Sequence, residues 1–205
     1  MEGESTTRSR RSGRPPAGAA VLQRDVTEAI TAALFAELAE TGYGRLSVES
    51  VARRAGVGKT AVYRRWPSKQ AMVVALISEV AVTAIDVPDT GSLRGDVREY
   101  LTNAAEALDH PLARTIIPDL LAEVTRNPEL ITELLTTVRD PRRDRAATVV
   151  RRAIDRGELE PDTDLELALD FLGGPLYWRL TIIRSPLGED YFDRLADKVV
   201  AAMTA

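Results

Sequence analysis

The chain has 205 residues, of which 44% are hydrophobic, 5% aromatic and 28% charged, with one histidine and no cysteine. The missing cysteines exclude disulfides and thiolate metal sites, and the single histidine, His110, excludes a histidine cage, so no metal or cofactor is expected. A net charge of −4 conceals a division: residues 1–80 hold twelve Lys and Arg against eight Asp and Glu, whereas residues 81–205 hold fifteen against twenty-three. A basic head on an acidic body meets a polyanion in one orientation only.

Taken in order, residues 1–20 are expected to form a disordered basic arm, because RSRRSGRPP carries Arg8, Arg10, Arg11 and Arg14 with no apolar periodicity. Such an arm is either a solvated tail or a segment that tracks a DNA minor groove, and Gly13-Arg14-Pro15 resembles the core of an AT-hook. A helix is predicted over 21–41, with Val26, Ile30, Ala33, Leu34 and Leu38 on its buried side and Gly42 as its stop.

The stretch 46–69, LSVESVARRAGVGKTAVYRRWPSK, reads as two short helices around a tight turn. Val48, Val51, Ala52 and Ala55 share one apolar face behind the cap Ser47. Gly56 supplies the positive φ that the turn needs, Val57 points back to the core and Gly58 opens the second helix. There Val62 and Trp66 face inward, leaving Lys59, Thr60, Tyr63, Arg64 and Arg65 outward. From Thr41 to Gln70 seven Lys and Arg stand against one acid, Glu49, a local charge of +6. A protruding cationic helix suits the DNA major groove, where Arg and Lys reach guanine edges and hydroxyls hold phosphates. An ordinary core hairpin has the same apolar spacing, but not this charge.

At these residues the sequence resembles the TetR family of transcriptional regulators, whose helix-turn-helix follows A-x-x-A-G-V-[ST]-x-x-x-[LV]-Y-x-[HR]-[FW]-x-x-K. Ala52, Ala55, Gly56, Val57, Val62, Tyr63, Arg65, Trp66 and Lys69 meet that pattern, and the likeness covers roughly residues 25–80. The resemblance implies that Tyr63 and Lys69 hold phosphates while Lys59, Thr60, Ala61, Arg64 and Arg65 face the groove. Ser47 completes the expected DNA-contacting set. One departure is Gly58, where the family more often has Ser or Thr; a glycine cap weakens the helix by only a few tenths of a kcal/mol.

Pro67 ends the second helix and Ser68 caps the next, expected over 68–85 with Met72, Val73, Leu76, Ile77 and Val80 as packing residues. Val87-Pro88-Asp89-Thr90-Gly91 then marks a boundary. Beyond it the pattern is helical: 92–108, 113–125, 128–139, a helix from Pro141 to Arg156 ended by Gly157, 164–183, and a last one from Glu189 to about Met203. His110, before Pro111, reads as a helix-terminal or surface residue. The arginines of RRDRAATVVRRAIDRGE alternate with Asp144, Asp155 and Glu158, which fits a solvated ion-paired face better than a second nucleic-acid surface.

The expected fold is therefore all-α, a three-helix head (21–67) joined by a connecting helix (68–85) to a larger helical body (68–205). No run of about 18 apolar residues spans a membrane and no signal-peptide apolar region is present, which predicts a soluble, cytoplasmic protein. By resemblance the protein is a homodimer that binds a palindromic double-stranded operator and releases it to a small hydrophobic effector. The resemblance pairs the last two long helices with their two-fold mates, through Leu172, Leu176, Leu180, Leu195 and Val199.

An effector pocket is expected between the 113–125 and 164–183 helices, where Gly173-Gly174-Pro175 predicts a kink. Ile116, Ile117, Leu120, Phe171, Tyr177 and Trp178 would line it, or would simply fill the core or the dimer interface. Two other classes stay open at this point. A DNA-binding or partner-binding protein of the same architecture would sense nothing. A helical enzyme has against it the lack of a nucleophile elbow, a phosphate-binding glycine loop or an H-E-x-x-H motif.

Overall fold

The structure, a computed structural model, describes residues 17–124 and 126–204, and among them every regular element is helical. Residues 1–16 of the expected arm, with Arg8, Arg10, Arg11 and Arg14, lie outside the described residues, whereas its last four, 17–20, are not disordered but form the start of the first helix. None of the described helices is long and apolar enough to cross a membrane.

The head is built on α1 (Ala17–Arg45), whose Ile30, Leu34 and Leu38 form a fully buried stripe one turn apart. Regular geometry ends at Gly42 (φ 74°, ψ 167°), a conformation in the range that glycine tolerates and other residues rarely adopt. α2 (Val48–Arg54) packs against α1 and α3 (Lys59–Tyr63) against α2, and with α4 (Lys69–Ala81) they supply Val48, Val51, Val62, Met72 and Leu76 to a core shared with α1. Each such side chain, withdrawn from water, contributes on the order of 1.5–3 kcal/mol. Arg54 fastens α2 to α1: its Nε donates to the nearly buried Glu37 at 2.8 Å and its guanidinium also engages Glu40.

The body contains α5 (Leu93–Asp109), α6 (Pro111–Val124), α7 (Pro128–Leu134), α8 (Asp140–Asp155), α9 (Leu165–Tyr177) and α10 (Tyr191–Met203). Leu93, Val97 and Leu101 of α5 meet Val149 and Val150 of α8, Leu172 and Leu176 of α9 and Val199 of α10 in a second core. α6 and α7 belong to the other one: Ile116, Leu120 and Leu130 pack with the head residues. Head and body are thus stitched together by α6 and α7 as well as by α4.

Three sequence expectations shift. The connecting helix ends at Ala81, four residues early, because Ile85 is drawn into the second core. Pro141 does not begin a separate helix; α7 runs into α8 through a widened π-helical turn, Leu135–Arg139. Proline lacks the N–H that would satisfy the Thr137 carbonyl, and Ser78 of α4 supplies the missing donor, Oγ to O at 2.6 Å. Likewise α9 continues through Gly173-Gly174-Pro175, and the widened turn comes after it, at Trp178–Ile182.

The boundary loop is fastened by a buried carboxylate. Asp96 is wholly buried and accepts from the Thr90 N–H (2.6 Å), the Thr90 hydroxyl (2.8 Å) and an Arg156 guanidinium nitrogen (3.0 Å). Those three donors offset the desolvation that an isolated carboxylate would suffer.

Candidate nucleic-acid interface

Local chemistry fixes the helix-turn-helix. Ser47 Oγ accepts from the Ser50 N–H at 3.0 Å and starts α2. Gly56, at φ 68°, turns the chain so that the Val57 N–H reaches the Ala52 carbonyl at 3.0 Å, and Val57 packs against the head core. Gly58 caps α3 without a side-chain bond, and the completely buried Val62 pins that helix from beneath. Hydrogen bonding continues past α3, the Trp66 N–H reaching the Val62 carbonyl at 3.0 Å, and Trp66 packs inward.

With Val62 and Trp66 inward, Lys59, Thr60, Tyr63 and Arg64 stand exposed on one projecting surface, while Ala61 and Arg65 are half-buried. Arg64 makes no ion pair among the described residues. Lys59 is paired with Glu49 of α2, and its ammonium lies 5.4 Å from the centroid of the Tyr63 ring. The Lys59 hydrogen bond, with a backbone bond adding, holds the Glu49 carboxyl below its usual range; the same contact raises Lys59. Glu49 lies ten residues from Lys59 across the turn, a pairing that no periodicity reveals.

Three residues of the expected set are engaged inside the head. The Ser47 hydroxyl caps α2. Arg65 donates from a guanidinium nitrogen to the Ala61 carbonyl at 3.1 Å. Lys69 Nζ donates to the Tyr43 carbonyl at 3.0 Å and stands 4.3 Å from the centroid of that buried ring. Arg53, outside the expected set, is also exposed, in the last turn of α2.

A second candidate site is a cavity of about 760 Å³ lined mainly by α1, α4, α5 and α6. Ile116, Ile117 and Leu120 line it, facing Thr31 and Phe35 of α1 and Ile77 and Val80 of α4. The walls are largely apolar, with Glu28, Glu79, Glu106, His110 and Arg142 as polar members. Phe171, Tyr177 and Trp178 are not among its walls. α9 sends Leu172 and Leu176 into the second core, which leaves Phe171 and Trp178 exposed on its opposite side. The wall facing α6 is instead made by α1 and α4.

Residues 30–76 match the family described as bacterial regulatory proteins of the tetR family, and residues 87–199 match the tetracyclin repressor-like C-terminal domain. The chain belongs to the TetR family of transcriptional regulators. It is 32% identical to the DNA-binding transcriptional repressor TetR of Mycobacteroides abscessus, over 85% of this chain and 92% of that one. It is 31% identical to the uncharacterized HTH-type transcriptional regulator YdeS of Bacillus subtilis, over 80% of this chain and 82% of that one. Among solved structures, the TetR family transcription regulator SCO0332 superposes with a TM-score of 0.70 at 28% identity, covering 86% of this chain and 97% of that one. The TetR-family fold accounts for the head and body together, and the family is one of DNA-binding regulators, not of enzymes.

In this TetR-family chain the expected dimer residues serve the protomer itself. Leu172, Leu176 and Val199 are 1%, 1% and 2% exposed within a single chain, and Leu180 and Leu195 pack against the same core. The apolar residues that remain outside form another stripe: Leu167, Phe171, Trp178 and Ile182, recurring along one side of α9 and its widened turn.

Proposed function

We propose that this regulator is a dimeric cytoplasmic repressor that holds a palindromic operator through α3 and releases it when a small, largely apolar molecule occupies the cavity between α1, α4, α5 and α6. One observation carries the reading. The cavity wall includes Ile77 and Val80 of α4, the helix whose first residue, Lys69, is tied to the head at Tyr43. A ligand that prefers a wider cavity shifts α4 and with it the head, and the operator-bound geometry becomes the less populated state. The relative from Mycobacteroides abscessus that is named a repressor supports the direction of control.

In this proposal residues 21–67 are the DNA-binding domain and 68–205 the sensing and dimerisation domain, with 68–85 between them. The exposed stripe of α9 is the dimer contact, since a run of Leu167, Phe171, Trp178 and Ile182 in water is unfavourable and a two-fold mate would cover it. Two α3 helices then stand about 34–36 Å apart, in successive major grooves.

The test begins with duplexes selected from a random pool, followed by a library of apolar compounds screened for thermal stabilisation. Compounds that raise the melting temperature are expected to release the selected duplex. Stabilisation with no change in operator affinity would leave a pocket without a switch. The arm has its own expectation: removing residues 1–15 lowers DNA affinity while leaving the melting temperature unchanged, with the larger loss at low salt and at sites with A·T-rich flanks. Affinity unchanged at low salt would reduce the arm to a solvated tail.

A further inference from the structure

We infer that Asp119 is the positioning residue through which the contents of the cavity set the angle of the DNA-binding head; this rests on the regulatory reading of the cavity given above. Asp119 sits on α6 between Ile117 and Leu120, which line the cavity, but its own side chain is not part of that wall. It reaches the corner where α1 gives way to the helix-turn-helix. There Oδ2 accepts from the Tyr43 N–H at 2.7 Å, a contact spanning 76 positions of sequence.

The corner has no room for slack. Gly42 stands at φ +74°, and a Cβ added to it would lie 2.7 Å from Asp119 Oδ1, so the carboxylate fills the space that only a glycine leaves. Tyr43 is buried, its phenol pushed up by burial with the charges of Glu123 and Glu133 adding. On its far side the Tyr43 carbonyl accepts from Lys69 Nζ at 3.0 Å, at the first turn of α4. Asp119, Tyr43 and Lys69 therefore form one chain of polar contacts from the cavity helix, through the entrance of the helix-turn-helix, to the connecting helix.

A bond from an N–H to a carboxylate is about twice as strong as a neutral one. Packed interiors also transmit small displacements without absorbing them. When a ligand pushes α6 outward, Asp119 drags the Gly42–Tyr43 corner, and α2 and α3 turn with it. Without the carboxylate the corner is free of α6, and filling the cavity no longer reaches the head by this route.

The experiment is a double-mutant cycle read as operator affinity on the selected duplex. Ile117→Trp projects a ring into the cavity in place of a ligand, with Ala113→Phe as the alternative should the first fail to fold. The filled cavity is expected to weaken operator binding by about tenfold in the wild-type background and by less than about threefold with Asp119→Ala. Asp119→Asn, which keeps an acceptor oxygen for the Tyr43 N–H, restores most of the response; a merely structural role for Asp119 would lower affinity without changing this ratio. Equal losses in both backgrounds overturn the relay while the cavity keeps its regulatory role. A filled cavity in a folded protein that leaves wild-type affinity intact overturns the regulatory reading of the cavity, and the relay with it.

Discussion

Trp178→Glu is expected to yield folded monomers that no longer hold a palindromic operator. Trp178 is 58% exposed in the single chain and lies in line with Leu167, Phe171 and Ile182. Substituting it leaves the second core untouched, whereas Leu180→Glu would push a charge against that core. In the proposed dimer the new carboxylate would be buried near its two-fold mate, where two like charges without partners are strongly unfavourable. A protein bound at both half-sites gains the second contact as an intramolecular event, so loss of the dimer should reduce operator affinity by about 10²-fold or more. Sedimentation shows the mass, and thermal unfolding shows that the protomer is intact. A wild-type protein that sediments as a monomer at micromolar concentration would contradict the assignment of this face.

Asp96→Ala should have the largest effect on stability, about 2–4 kcal/mol, because it removes a wholly buried carboxylate that accepts two bonds from Thr90 and one from Arg156, although Arg156 keeps Glu158 as a partner. Asp96→Asn retains one acceptor but points an amide toward donors, so an intermediate loss of about 1–3 kcal/mol is expected. Chemical denaturation at fixed protomer concentration measures both, since stability in a dimer depends on concentration. The 87–91 loop, which Asp96 anchors through Thr90, should also become a site of proteolytic cutting. A change below about 1 kcal/mol for Asp96→Ala would mean that the loop reorganises around the gap.

The helix starts were legible because their determinants are local. Ser47 and Ser68 cap helices where expected, Ser92 precedes α5, and Gly42 and Gly56 take the positive φ that their turns require. The outward set Lys59, Thr60, Tyr63 and Arg64 follows from Val62 and Trp66 alone. What escaped was set by residues distant in sequence. The Lys59–Glu49 pair and the Asp119–Tyr43 bond cross between helices, and Asp96 gathers its donors from a loop and from Arg156, just past the end of α8. Pro141 looked like a boundary because its missing donor was visible, whereas Ser78, which replaces that donor, lies 59 residues from the Thr137 carbonyl it serves. α9 is apolar on both sides, so no spacing rule could tell its covered face from its open one. The six residues expected to share a pocket divide for the same reason: Ile116, Ile117 and Leu120 line the cavity, whereas Phe171, Tyr177 and Trp178 do not.

The central claim is that α3 reads an operator, and Arg64 tests it most directly. It is exposed at the end of α3 and makes no ion pair among the described residues, so Arg64→Ala removes an outward cation without disturbing the head. Affinity of wild type and Arg64→Ala should be measured on the selected operator, on its single-base variants and on unrelated duplex across a range of salt concentrations. The account predicts a loss of about 1–3 kcal/mol on the operator, relaxed preference at one base pair and a smaller loss on unrelated DNA. Arg64→Ala protein that binds operator and variants as the wild type does would contradict the assignment of α3 to the groove.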